Sequence, residues 1–158
     1  IPFAFGHHIH THCTEPALAL YRELFVPSEL ADRPRTIVAA AIVVGEDDEH
    51  AARLALPDAL SVLWRQGKRP PLRSVEDAER LIAQLSLAER AVVDEAVQQR
   101  VIVGGPASVH AQLRDLAERT SADELMVTSH ASDPEVRLRD LEHIAEEFEL
   151  SPQPLARS

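Results

Sequence analysis

The sequence predicts an α/β fold: an incomplete (half) TIM-type (βα) barrel with parallel strands and an inserted helical segment. Three observations carry this expectation. Unbroken apolar runs at 1–6, 36–44 and 124–128 are each followed by a stretch with helical spacing. Such runs belong in a sheet covered on both faces, because a half-exposed strand alternates apolar and polar residues. A closed barrel takes eight strands and ~250 residues, whereas this chain has 158 residues and only three good strands and one short one.

The elements follow in order. Ile1-Pro2-Phe3-Ala4-Phe5-Gly6 reads as a strand buried on both faces, and the chain opens inside it. The expectation is therefore the closing portion of something longer. A polar loop, His7-His8-Ile9-His10-Thr11-His12-Cys13, comes next. Thr14 is placed to cap a helix that has Pro16 in its first turn, with Leu18, Leu20, Tyr21, Leu24 and Phe25 as its apolar face. Pro27 ends it. The run 36–44 is the best strand, stopped by Gly45, and Glu46-Asp47-Asp48-Glu49 opens the following helix, where carboxylates complement the dipole. That helix is expected to kink at Pro57, resume to Trp64 and fail at Gly67. Residues 66–71 form a linker. Two helices at 75–85 and 87–99 complete an insertion of about 67–99, and Ser86 with Glu89 makes a capping box for the second.

Val101-Ile102-Val103 is a short strand, and Gly104-Gly105-Pro106 turns the chain into a helix through Val109, Leu113 and Leu116. The buried strand at 124–128 exits at Ser129-His130. Asp133 caps a last helix with Pro134 in its first turn and Leu138, Leu141, Ile144, Ala145 and Phe148 as its stripe. The reading is one domain over 1–150 and a flexible tail over 151–158.

Composition excludes several functions. A net charge of −10 argues against nucleic acid or an anionic membrane as partner, since both require clustered positive charge. One cysteine, Cys13, rules out an internal disulfide framework. No stretch approaches the ~20 apolar residues that span a bilayer, and no signal peptide is evident. The expected location is cytoplasmic.

Three blocks go further. They are Ile1-Pro2-Phe3-Ala4-Phe5-Gly6-His7-His8 followed by Ala17-Leu18-Ala19-Leu20-Tyr21-Arg22-Glu23, then Val103-Gly104-Gly105-Pro106-Ala107-Ser108-Val109, and Thr120-Ser121-Ala122-Asp123-Glu124-Leu125-Met126-Val127-Thr128. Together they resemble the C-terminal half of the luciferase-like, flavin-dependent monooxygenases, the family of bacterial luciferase. The resemblance implies a barrel oxidoreductase that binds reduced FMN and oxygenates an organic, aldehyde-like substrate. It also implies that much of the flavin site, and the catalytic histidine and cysteine of luciferase, lie in sequence upstream of residue 1. Two departures stand out in the second block: Gly105 and Ala107 replace the family's Ser/Thr and Glu.

Candidate site residues follow from strand ends, since barrel sites form at the carboxyl ends of strands. His7 and His8 leave the first strand, and in the family the matching strand end borders the flavin ring and substrate cavity. Gly104 and Gly105 precede a helix N-terminus that can present N–H groups to phosphate, although Pro106 lacks an N–H, residue 105 lacks a hydroxyl, and an ordinary helix start is the favoured explanation. Thr128, Ser129 and His130 end the last strand on the same side. The cluster of His7, His8, His10, His12 and Cys13 has ligand chemistry for Zn2+, Ni2+ or Cu2+, without a fixed zinc pattern. No catalytic residue is assigned. Three functions are thus expected: part of a flavin monooxygenase, inactive in isolation; a non-catalytic remnant that forms a homodimer through open strand edges; or a His-rich metal-binding protein.

Overall fold

The computed structural model describes residues 2–69, 72 and 74–151, without the side chains of 95–99. Ile1, the prolines of the 66–71 linker and all but Ser151 of the tail expected at 151–158 lie outside the described residues. Four strands, β1 (Phe3–Gly6), β2 (Thr36–Val44), β3 (Val101–Gly104) and β4 (Glu124–Ser129), form one parallel sheet. The described helices are α1 (Thr14–Leu24), α2 (Asp48–Leu54), α3 (Leu56–Arg65), α4 (Val75–Ile82), α5 (Leu87–Arg100), α6 (Pro106–Thr120) and α7 (Pro134–Glu147). The expected open α/β sheet with a helical insertion is what the chain adopts. No helix among the described residues is long and apolar enough to cross a membrane.

β2 is the hub, and among the described residues each of the other strands pairs only with it. The carbonyls of Arg35 and Ala39 accept from β1 and its extension, while those of Thr36 and Ile42 accept from the residues flanking β4. Odd-numbered backbone groups of β2 therefore face β1 and even-numbered ones face β4. Gly45 N–H donates to Gly104 O, which puts β3 on the odd edge too. β1 takes Thr36 to Ala39 and β3 takes Ala41 to Val44, end to end along one edge. β4 runs along the opposite edge from Ile37 to Ile42.

Two cores hold the layers. Val38, Ala40, Ile42 and Val44 of β2 pack with Leu18 of α1, Val109, Leu113 and Leu116 of α6, and Ile144 of α7. Ala59, Leu60 and Leu63 of α3 pack separately with Ala78 of α4 and Val93 of α5. The helical insertion therefore shares a small second core with α3. Its capping box forms as expected, with Ser86 Oγ accepting from Glu89 N–H and Glu89 Oε2 accepting from Ser86 N–H. Gly45 is required by packing, since a Cβ there would stand 2.2 Å from Ala51 N.

Some local expectations are corrected. Cys13, not Thr14, occupies the cap of α1, because a 3-10 turn at Thr11–Cys13 draws Thr14 into the helix, where it is buried. Leu20 and Leu24 are exposed, because the buried line of α1 runs through Leu18 and these two stand on the other side. The break at Pro57 is a division, not a kink: α2 ends at Leu54 and α3 starts at Leu56. Pro57 lacks the N–H that would continue the helix. Neither β1 nor β4 is buried on both faces. β4 alternates, with Met126 54% exposed and Leu125 and Val127 turned inward. On α7 the buried line runs through Asp140 and Ile144, which leaves Leu138 and Leu141 exposed.

The amino-terminal end of the sheet is tied by side chains. Asp123 Oδ2 accepts from Thr36 N–H at 2.8 Å, and its Oδ1 accepts from Arg33 at 2.8 Å. Those donors, Thr36 first, hold its pKa down at about 2. Arg22 donates to the carbonyls of Thr120 (2.7 Å) and Ser121 (2.8 Å), binding α1 to the end of α6. Cations favour that end of a helix.

Two outcomes are expected. Ser121 ends α6 with a left-handed φ of 48°, which costs a non-glycine residue roughly 1–2 kcal/mol, against a glycine entropy penalty of about 0.5–1 kcal/mol. Ser121→Gly should therefore stabilise the protein by about 0.5–1 kcal/mol, and thermal denaturation would show a rise of ~2 °C. Asp123 has a folded pKa below its ordinary 3.8, so its stabilisation is present above 3.8 and lost as pH falls towards about 2. The stability gap between the native protein and Asp123→Asn should close across that window in acid titrations followed by circular dichroism.

Candidate functional site

The short strands β1 and β3 leave a seam on the shared edge of β2, and the histidines fill it. His7 N–H extends the ladder to Ala39 O at 2.9 Å. Its ring Nδ1 lies 2.8 Å from Thr14 Oγ1, and the Thr14 hydroxyl donates onward to His10 O at 3.5 Å. His7 Nδ1 therefore carries the proton of that bond. Burial, then the positive charge of Arg119, pushes the His7 pKa below its ordinary value, with Glu15 opposing. The ring is held neutral near neutral pH. His7 lines a cavity of about 220 Å3 with Thr11, Arg100, Gln112, Asp115 and Arg119.

His8 turns the other way. Its Nδ1 is 3.1 Å from the same Ala39 carbonyl, and its own carbonyl accepts from Arg100 Nε at 3.3 Å. Arg100 immediately precedes β3, so this bond closes the seam between the two strands. The His8 ring meets that of His130 edge to face, with centroids 5.7 Å apart and planes at 70°. His130 N–H donates to Ile42 O, and its ring Nδ1 is 3.2 Å from Asp58 Oδ1.

The remaining sequence candidates sit differently. Gly105 N–H donates to Asp48 Oδ1 at 2.8 Å, so a carboxylate of α2 already takes the donor considered for phosphate. A Cβ on Gly104 would stand 2.8 Å from Ser108 Oγ and 2.9 Å from Asp48 Oδ1. Close packing of two helix starts accounts for both glycines. Gly6 pairs with Ala39 and Gly104 with Val44, a stagger of about 17 Å at the usual strand rise. The His7–His8 and Gly104–Gly105 groups thus stand apart along the sheet. Thr128 is exposed. Ser129 Oγ donates to Asp140 Oδ2 at 2.6 Å, inside the fold. Burial raises the Asp140 pKa, with Ser129 and the Val44 backbone opposing, and its Oδ1 has no hydrogen-bond partner among the described residues.

His10 and His12 are exposed, their rings 6.3 Å apart. Among the described residues no three His, Cys, Asp or Glu side chains gather closely enough to hold a metal ion. The ligand cluster expected at His7 to Cys13 does not assemble, because the 3-10 turn at Thr11–Cys13 and the Thr14 and Ala39 bonds point its members apart. The sequence did not single out Asp58 or Arg100.

No family model matches the chain. It is 37% identical over 152 residues to the uncharacterized protein YvbT of Bacillus subtilis, covering 92% of the chain and 43% of that protein. It is 30% identical over 148 residues to a luciferase-like monooxygenase of Escherichia coli K12, covering 90% of the chain and 42% of the relative. The crystal structure of apo-MsnO8 superposes with a TM-score of 0.80 at 30% identity, over 97% of this chain and 46% of that one. The FMN complex of the oxygenating constituent of 3,6-diketocamphane monooxygenase from Pseudomonas putida shares the fold, with a TM-score of 0.52 at 20% identity over 92% of this chain and 41% of that one. The chain spans under half the length of these relatives. By sequence and fold, it belongs to the luciferase-like monooxygenase family.

Proposed function

We propose that this chain supplies one side of a flavin-dependent monooxygenase site, as the C-terminal half of a barrel. Reduced FMN and a small organic, aldehyde-like substrate would lie at the carboxyl ends of its strands. One observation carries the reading: His7, His8 and His130 converge where three parallel strands end or begin on β2. The two cavities there, about 220 and 210 Å3, are each smaller than the roughly 300–1,000 Å3 of complete small-molecule sites. That size supports a site finished by further polypeptide.

The residues present fit a flavin only in part. Arg100 and His7 offer polar contacts beside one cavity, and Trp64 offers an aromatic face beside the other. No residue here is assigned to the flavin phosphate, because Gly105 is already engaged. When bound, reduced FMN supplies the electrons for O2 activation. This chain's part is to bind and orient: His8 is held with its proton on Nδ1 by the Ala39 carbonyl, and His7 is kept neutral by burial. An exposed, unpaired Cys13 fits a cytoplasmic setting.

Titration of FMN fluorescence with the protein should give saturable but weak quenching, with a dissociation constant on the order of 1 mM, about −4 kcal/mol. Replacing His7 and His8 together by Ala should abolish it. A complete lack of saturable quenching, or micromolar affinity indifferent to those substitutions, would overturn the reading.

A self-associating remnant is favoured by a second observation. β1, β3 and β4 each have an unpaired edge among the described residues, and β4 presents exposed Met126. Open edges of this kind recruit other strands. We infer a homodimer through them. Light scattering should report twice the chain mass, and Met126→Lys should shift it towards the monomer.

A further inference from the structure

His130 stands one residue beyond β4, and its backbone bond to Ile42 fixes where the ring leaves the sheet. The ring's Nδ1 faces Asp58 Oδ1 at 3.2 Å. An ionised carboxylate only accepts hydrogen bonds. The neutral imidazole therefore carries its proton on Nδ1 and keeps a lone pair on Nε2. No described residue engages that Nε2. Asp58 occupies the first turn of α3.

His8 backs this arrangement. A carbonyl also only accepts, so its bond to Ala39 O fixes the same tautomer in His8. The edge-to-face contact between the rings then limits how His130 rotates. An imidazole held by a carboxylate on one nitrogen and free on the other is the arrangement that accepts protons in enzyme sites.

The cavity beside it indicates what would donate the proton. It measures about 210 Å3, with Pro57, Trp64 and Leu72 as apolar wall and Asp58, Ser61 and His130 as polar groups. A cavity of about 150 Å3 admits benzene, so this volume suits one substituted ring. The half-exposed indole of Trp64 offers a flat surface for it.

We propose that His130, oriented by Asp58 and backed by His8, is a proton-accepting site for a small flat organic ligand bearing an acidic hydroxyl, a phenol or an enol. The ligand O–H bond breaks, its proton forms a bond to Nε2, and the electron pair stays on oxygen. The products are an imidazolium paired with Asp58 and an oxyanion hydrogen-bonded to it. This site needs no flavin, so it and the monooxygenase reading fail separately.

The test uses the full chain with isotope-labelled histidine and para-nitrophenol as probe, without flavin. Nitrogen NMR should find His8 and His130 in the Nδ1–H tautomer in the free protein. At near-neutral pH the probe should move His130 Nε2 towards its protonated position, and its own absorbance should shift towards the phenolate. Asp58→Asn should weaken that effect about tenfold, the equivalent of one pKa unit. His130→Phe should remove the absorbance shift. An Nε2–H tautomer for His130 in the unmodified protein overturns the proposal without any substitution. So does a probe spectrum that the native protein leaves unchanged, or one that folded Asp58→Asn and His130→Phe variants shift as the native protein does.

Discussion

Among the described residues every other strand hydrogen-bonds to β2 and to no second strand, so the sheet is organised by nine consecutive residues. Backbone donors and acceptors buried in a sheet must be paired, and here one strand serves three partners. Its even-numbered edge pairs with β4 from Ile37 to Ile42. Its odd-numbered edge is divided between two four-residue strands. The division leaves Ala39 O at the junction, accepting from both His7 N–H and the His8 ring. The site is thus a by-product of strand length: a longer β1 would cover the position the histidines now occupy.

The opposite end of the sheet shows why that junction stays in register. Asp123 grips the start of β2 through the Thr36 N–H, and the Asp123 N–H returns a bond to Thr36 O. This exchange pins β4 against β2 at one end, and the His130–Ile42 bond holds it at the other. A one-residue slip would turn Leu125 and Val127 out to solvent. Register at the start of β4 therefore decides that His130, at its finish, arrives beside Asp58 and His8.

Much of the fold was legible from local chemistry. The bounds of β2 follow from β-branched residues ended by Gly45, and Ser86 with Glu89 signalled the start of α5 through a reciprocal bond that needs only neighbours in sequence. Asp133 and Pro134 marked α7 in the same way. The errors were tertiary. Leu20, Leu24, Leu138 and Leu141 have helical spacing, but which side of a helix is covered depends on what lies opposite. Strand burial was over-assigned for the same reason: β4 is covered by α6 and α7 on one face only. At the site, strand ends pointed to His7, His8 and His130. The partner Asp58 lies 72 positions from His130, and no periodicity or spacing links them. A phosphate cradle stayed open as the alternative at glycines 104 and 105 because nothing in the local sequence reveals that Asp48, 57 positions away, takes the Gly105 N–H.

The helical insertion shares a core with α3, and the unit α3–α5 is joined to the rest mainly through α2 and the seam at Arg100. Elements that bury their apolar side chains among themselves tend to open as cooperative units, at a lower free energy than global unfolding. Amide exchange in α3–α5 would then proceed while β2 remains protected. Asp58 travels with that unit, whereas His8 and His130 are anchored to the sheet. The acid–imidazole contact consequently depends on the less deeply anchored half of the molecule, which couples the chemistry at its centre to the breathing of its periphery.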